Sequence, residues 1–295
     1  MESICVPEAG VVEEVVDFGH CKGIFARPAE GALKSAVVFS HGWGGHRCGP
    51  ANLLTLLARC FVKQGVASLR FDYAGRGESE GNGLETSLAT MAEDLVEASE
   101  FLRGKTDCDS LDYCGLCSGG NVIIGALPRL PHARRLILLS VYPFSDGDRF
   151  SRSSRRFAGL VGSYLRKACS WENWRRLFAG DASLKRVFGV LFRPFRKGES
   201  KQKEGAIRKA SQNESRLDTA KEPPKQFLEP LKKGVSGVFV YGTADPDAEA
   251  AMRYYGEFIT EHHLPFRIER IEGATHNFTA TAHRKTLMEI LVAGV

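Results

Sequence analysis

Three short apolar runs of this chain pass directly into glycine-rich polar segments, and this repeated pattern constrains the fold most strongly. The runs cover residues 34–40, 66–71 and 111–114, and the segments that follow them cover residues 41–45, 72–79 and 115–120. Apolar runs of this length without polar alternation are typical of strands buried on both faces of a sheet. Each run is therefore predicted to be a buried strand with a glycine-rich turn at its carboxyl end.

Stretches with a helical spacing of apolar residues separate these strands. Residues 51–61 form one such stretch, residues 84–102 a second and residues 121–130 a third, before a strand predicted over 135–141. In the second stretch the spacing is strongest, at Leu84, Leu88, Met91, Leu95, Ala98 and Leu102. This alternation predicts an α/β fold with a mainly parallel, doubly wound sheet, which binds ligands beyond the carboxyl ends of its strands.

The segments at the two ends of the chain complete this prediction. Residues 11–29 alternate apolar and polar residues around two glycines, which predicts an antiparallel hairpin at a sheet edge. Near the other end, a strand over 235–241 leads to a helix over 249–261, a strand over 266–271 and a final helix that buries Leu287 and Leu291.

The alternation is interrupted between residues 146 and 233. Thirteen lysines and arginines but only two acidic residues lie between 149 and 197, among aromatic and aliphatic residues at helical spacing. We expect two or three amphipathic helices that form a basic lid, followed by a mobile polar linker over 198–226. The predicted domains are a core formed by 1–145 and 234–295, with the lid and linker inserted as 146–233.

The composition is that of an ordinary globular protein, with 43% hydrophobic and 25% charged residues in 295. No apolar stretch is long enough for a membrane helix, and the N-terminus lacks the pattern of a secretory signal, so a cytoplasmic location is expected. Eight cysteines without regular spacing are typical of reduced thiols rather than a disulfide framework. We expect no cofactor and no metal.

The run Gly115-Leu116-Cys117-Ser118-Gly119-Gly120 has the pattern of a nucleophile at a tight strand-to-helix turn. Such a turn requires almost no side chain two positions before and after the nucleophile, and Gly115 and Gly119 meet this requirement around Cys117. Centring the pattern on Ser118 would place Leu116 where a small residue is needed. Two other interpretations remain open: a redox or half-zinc motif formed by Cys114 and Cys117, and a phosphate-binding turn.

One carboxylate and one histidine follow the late strands at the same sheet edge as Cys117. They are Asp245, in Gly242-Thr243-Ala244-Asp245, and His276, in Gly273-Ala274-Thr275-His276. Asp247 is a competing acid. The other histidines lack the glycine turn that follows a strand.

Nucleophile, acid and histidine in this chain order resemble the α/β-hydrolases. His41-Gly42-Trp43-Gly44 is similar to the oxyanion loop of that family, and Asp72-Tyr73-Ala74-Gly75-Arg76-Gly77-Glu78-Ser79 is similar to its D-x-R-G-x-G-x-S loop. A cysteine in place of the usual serine resembles dienelactone hydrolases and bile-acid acyltransferases. The segments Tyr164-Leu165-Arg166-Lys167 and Trp174-Arg175-Arg176 resemble hydrolases associated with bacterial exosortase systems.

The resemblance implies a Cys117–His276–Asp245 triad and an esterase or thioesterase that forms a covalent acyl-cysteine. His276 and the following helix N-terminus would favour the thiolate, and Asp245 would orient His276. The backbone N–H groups of Trp43 and Ser118 would bind the oxyanion.

Three classes of function stay open on the sequence alone. The first is acyl hydrolysis or acyl transfer, the second a non-catalytic binding protein on the same scaffold, and the third a thiol-redox protein. The expected partner is a small acyl substrate, without specific nucleic-acid binding. The basic lid would add an anionic ligand or a membrane surface, although a solvated basic face is the simpler explanation.

Overall fold

Nine strands form one sheet in the computed structural model, which describes residues 3–6, 10–143 and 225–293. The strands are β1 (Ser3–Val6), β2 (Val11–Phe18), β3 (Cys21–Pro28), β4 (Ser35–Ser40), β5 (Val66–Asp72), β6 (Leu111–Leu116), β7 (Ala133–Leu139), β8 (Ser236–Gly242) and β9 (Phe266–Ile271). The helices are α1 (Leu53–Val62), α2 (Leu88–Thr106), α3 (Ser118–Ala126), α4 (Ala248–Glu261) and α5 (Thr281–Val292). Short 3-10 segments cover Pro50–Asn52, Leu127–Arg129 and Lys225–Lys232.

The strand order is β1-β2-β3-β5-β4-β6-β7-β8-β9. From β5 to β9 all neighbouring strands pair in parallel, whereas β1, β2 and β3 pair antiparallel. The predicted mainly parallel α/β sheet is therefore confirmed, and residues 11–28 form the predicted hairpin. The hairpin was predicted at the edge of the sheet, but β1 pairs with β2 and forms the edge instead.

Helices on both faces of the sheet bury its central strands completely. Every residue of β4, β5 and β6 is buried. On one face, side chains of α1 and α5 join alternate residues of β4, β6, β7 and β8 in a single apolar cluster. On the other face, α2 and α3 contact each other and β4. Burial on both faces explains why these strands lack polar alternation.

Three predicted boundaries are wrong by a few residues. Helix α2 begins at Leu88, because the Ser87 hydroxyl and the Thr90 side chain cap its first turn, and Leu84 is 90% exposed. Strand β7 ends at Leu139, because Ser140 has a φ of 46° that takes the chain out of the sheet. Helix α3 begins at Ser118, three residues earlier than predicted, and ends at Ala126.

Most of the predicted insertion lies outside the described residues. This applies to the basic lid over 149–197 and to the linker as far as residue 224. Residues 225–232 are described and form a 3-10 segment in which Leu228 and Leu231 are buried. Among the described helices, none is both long and apolar enough to cross a membrane.

Candidate active site

Cys117 lies at the sharp turn between β6 and α3. Its φ and ψ are 55° and −127°, a conformation that non-glycine residues rarely adopt. A Cβ added at Gly119 would lie 2.6 Å from the His41 carbonyl oxygen, and one at Gly115 would lie 2.5 Å from the Gly120 Cα. The two glycines therefore allow the turn to fit between β4 and α3, as the sequence pattern requires.

The surroundings of Cys117 favour its thiolate. Burial raises the pKa of this thiol, but hydrogen bonds from His276 and from the Ser118 backbone and hydroxyl, together with the His276 charge, lower it below its ordinary value overall. The sulfur also sits at the N-terminus of α3, where the helix dipole favours negative charge. A half-buried thiol with these neighbours is suited to act as a nucleophile.

Asp245 and His276 meet beside this thiol, on the turns that follow β8 and β9. The His276 Nδ1 atom lies 2.9 Å from the Asp245 Oδ2 atom. The Ala244 N–H donates to the Ala274 carbonyl at 2.9 Å, which ties the two turns together. The side chain of Asp245 is 5% exposed, so its charge is poorly screened by water.

The position of the proton in this site follows from the same contacts. Burial lowers the pKa of His276, but hydrogen bonds to Asp245 and Cys117 outweigh that effect and raise it to about 9. The same contact lowers the pKa of the Cys117 thiol. The two shifts together favour a thiolate beside an imidazolium over a neutral thiol beside a neutral imidazole.

Two residues that sequence reasoning missed complete the arrangement. The Tyr142 hydroxyl hydrogen-bonds the Asp245 carboxylate and lies 2.7 Å from His276 Nδ1, while the two rings stack with centroids 5.1 Å apart. The Ser140 hydroxyl donates to the His276 carbonyl at 2.9 Å. Both residues follow β7 at the carboxyl edge of the sheet. The predicted strand over 135–141 concealed Ser140, because it was assigned to the strand.

The oxyanion-hole residues predicted from the sequence lie next to Cys117. The Trp43 N–H donates to the Ser118 hydroxyl at 2.6 Å, which gives this N–H an oxygen acceptor beside the thiol. The loop that carries Trp43 is anchored by Asp72. The Asp72 carboxylate accepts a hydrogen bond from the Arg47 backbone N–H at 2.6 Å and forms an ion pair with the Arg47 guanidinium. The structure thus brings together Cys117, His276 and Asp245 with Ser118 and Trp43.

The alternatives left open by the sequence fit the geometry less well. Asp247 precedes α4, and its backbone N–H donates to Asp245 Oδ1 at 3.3 Å, so Asp245 is the acid that His276 contacts at 2.9 Å. Cys114 is a wholly buried thiol in β6, and burial raises its pKa, which disfavours a redox pair with Cys117. Both cysteines are free.

Comparison with known proteins identifies the family. A profile of the alpha/beta hydrolase family matches residues 37–287, which is most of the chain. The chain therefore belongs to the alpha/beta hydrolase family.

Individual relatives agree with this assignment over part of their length. An uncharacterized 31.7 kDa protein of Escherichia coli, from the traX-finO intergenic region, is 32% identical over 127 residues, which cover 41% of this chain and 42% of that protein. The quorum-quenching protein AidA of Acinetobacter baumannii is 30% identical over 130 residues, covering 43% of this chain and 41% of that protein. The chain thus spans about two fifths of the length of the curated relatives it matches.

Solved structures show the same fold. The dienelactone hydrolase of Anabaena variabilis superposes with a TM-score of 0.58 at 14% identity, covering 96% of both chains. At this identity the similarity shows the fold alone.

Proposed function

We propose that this protein hydrolyses an acyl ester or thioester through a covalent acyl-cysteine on Cys117. The observation that carries the proposal is the contact of His276 with Asp245 at 2.9 Å, beside a cysteine that has a positive φ at the turn between β6 and α3. Family membership supports hydrolysis as the reaction class.

The reaction follows from the charges of the resting site. The Cys117 thiolate attacks the acyl carbonyl, and the backbone N–H groups of Ser118 and Trp43 stabilise the oxyanion. The oxyanion replaces the Ser118 hydroxyl as the acceptor of the Trp43 N–H. The His276 imidazolium protonates the departing alcohol or thiol, leaving an acyl-cysteine. The neutral imidazole then takes a proton from water, whose oxygen attacks the thioester. Release of the acid restores the thiolate and the imidazolium.

Asp245 and Tyr142 act on the imidazole rather than on the substrate. Asp245 stabilises the imidazolium by its charge and fixes the Nδ1 side of the ring, so that Nε2 is directed towards the sulfur. Tyr142 stacks on the ring and hydrogen-bonds the carboxylate, which holds both groups in place.

The acyl group and its acceptor are a finer proposal. Transfer of the acyl group to an acceptor other than water would use the same acyl-cysteine. The predicted lid over 149–197, which lies outside the described residues, would determine which acyl-chain lengths are accepted. The resemblance of the sequence to dienelactone hydrolases adds lactones to the candidate substrates. An anionic ligand or membrane surface at the basic lid remains a prediction from the sequence, as does a cytoplasmic location.

The test is a substrate panel of short and long acyl esters, lactones and acyl-thioesters, measured with wild type, Cys117→Ala and Cys60→Ser. Cys60 is a half-buried thiol in α1 and serves as the matched control. We expect turnover that is abolished in Cys117→Ala and retained in Cys60→Ser. An inert wild type across the panel would favour the non-catalytic binding protein, and activity that survives in Cys117→Ala would refute the proposed nucleophile.

A further inference from the structure

A second group of reactive side chains lies at the tight turn between β2 and β3, three strand positions from β6 in the sheet. One ring nitrogen of His20, the Cys21 sulfur and one carboxylate oxygen of Asp94 all lie within 4.8 Å of one another. We propose that these three side chains bind a divalent transition-metal ion, with zinc as the expected ion. The proposal is independent of the chemistry at Cys117.

The geometry needs only a small adjustment to hold an ion. Two ligands at about 2.0–2.3 Å from a tetrahedral zinc ion lie roughly 3.3–3.8 Å apart. Because the three atoms lie within 4.8 Å of one another, the widest pair has to close by at most about 1–1.5 Å. His20 is exposed on the turn and can supply this movement, whereas Cys21 and Asp94 are buried and fixed.

Asp94 is already held in place for such a role. Its Oδ2 atom accepts the Ala74 N–H at 2.8 Å, while its Oδ1 atom lies 2.8 Å from His20 Nε2. An ion would replace the contact between His20 and Asp94 by a bond to each of them. The Ala74 N–H would keep the carboxylate oriented, as hydrogen bonds from outside the ligand set do in known metal sites.

The charge around Cys21 favours a cation. The carboxylates of Asp94, Glu97 and Asp72 lie close enough to this thiol to act on it electrostatically. These carboxylates attract a metal ion, and a bound ion removes the proton from a coordinating thiol. Glu97 lies one helical turn beyond Asp94, with its carboxylate against the backbone of Gly19 and outside the group of three. Its side chain would have to turn towards the ion to act as a fourth ligand.

The types of ligand select the class of metal. A thiolate with an imidazole and a carboxylate is a set that suits zinc, whereas calcium and magnesium prefer oxygen ligands alone. A bound ion would connect the turn between β2 and β3 to α2. We therefore expect a structural site that stabilises the antiparallel part of the sheet.

The expectation of no metal rests on the lack of a complete metal-binding spacing motif in the sequence. His20 and Asp94 are 74 positions apart, and only the packing of α2 on the sheet brings them together. No motif of the sequence indicates this pair.

The test is a Co²⁺ titration of the full chain carrying Cys117→Ala, which removes the thiol that lies beside His276 and Asp245. We expect one equivalent of Co²⁺ to bind with a thiolate-to-cobalt charge-transfer band, and Zn²⁺ to displace it. Adding Cys21→Ser should remove the band, and adding His20→Ala should weaken binding by at least about tenfold. Adding Cys60→Ser should change neither result.

A thermal measurement keeps the proposal testable if Cys21→Ser fails to fold. Zn²⁺ in excess should raise the Tm of the Cys117→Ala protein by several degrees, and His20→Ala, a change on the surface, should clearly reduce this rise. Absence of the band, binding below one equivalent, or a band that survives both Cys21→Ser and His20→Ala would overturn the assignment.

Discussion

Asp245→Asn tests how the proton is held in the proposed active site. In the wild type the pKa of His276 rises from an ordinary 6.5 to about 9, although burial opposes the rise, and Asp245 shares the effect with Cys117. At about 1.4 kcal/mol for each pH unit, removal of the Asp245 charge should destabilise the imidazolium by about 2 kcal/mol. The thiolate depends on that imidazolium, so the thiolate–imidazolium form should become about 30-fold less populated.

The assay is the rate of iodoacetamide alkylation at Cys117 against pH, followed by peptide mass spectrometry. In the wild type the titration midpoint should lie below the roughly 8.5 of a free thiol, and in Asp245→Asn it should move upward by about 1.5 on the pH scale. Asp247→Asn is the matched control, since Asp247 is a buried acid two positions away, and it should leave the midpoint in place. Equal midpoints for wild type and Asp245→Asn, or a shift caused by Asp247→Asn, would refute the reasoning.

Three other predictions concern the turn, the histidine loop and the lid. Gly119→Ala places a methyl group against two carbonyl oxygens at the end of β4, and should lower the free energy of unfolding by about 3 kcal/mol or more. Gly104→Ala, in open space on α2, should not destabilise the protein. Urea unfolding of the two variants and the wild type measures the difference, and an equal free energy of unfolding for Gly119→Ala and the wild type would contradict the prediction. Ser140→Ala removes the buried hydrogen bond to the His276 carbonyl and should cost about 1–2 kcal/mol in the same assay, and an unchanged unfolding midpoint would contradict this. Trp174→Ala, in the predicted lid, should change the ratio of kcat/KM for long and short acyl chains by roughly tenfold, and an unchanged ratio would refute the predicted role of the lid.

The sheet could be predicted from the sequence because its strands are buried on both faces. Burial on both sides favours unbroken apolar runs such as 36–39, and the glycine-rich turns that follow mark where each strand ends. Because each of Cys117, Asp245 and His276 follows a predicted strand, the sequence also predicts that all three lie at one edge of the sheet. Chain order and strand position were sufficient, since parallel strands end at a common edge.

Features that depend on exact strand ends and on packing could not be predicted. Val141 follows Leu139 after a single serine, so the pattern gives no sign that Ser140 leaves the strand and that Tyr142 reaches His276. The exposure of Leu84 could not be predicted either, because Leu84 continues the apolar spacing of α2 by one turn before the helix begins.

Trapping of the acyl-enzyme tests the central claim most directly. The wild-type protein is mixed with an activated acyl-thioester, quenched in acid within one turnover, and analysed by intact and peptide mass spectrometry, with Cys117→Ala treated in parallel. The account predicts one acyl group per chain, located on Cys117, that disappears as free acid forms and is absent from Cys117→Ala. Turnover with the acyl group on Ser118, or equal turnover and labelling in Cys117→Ala, would contradict it.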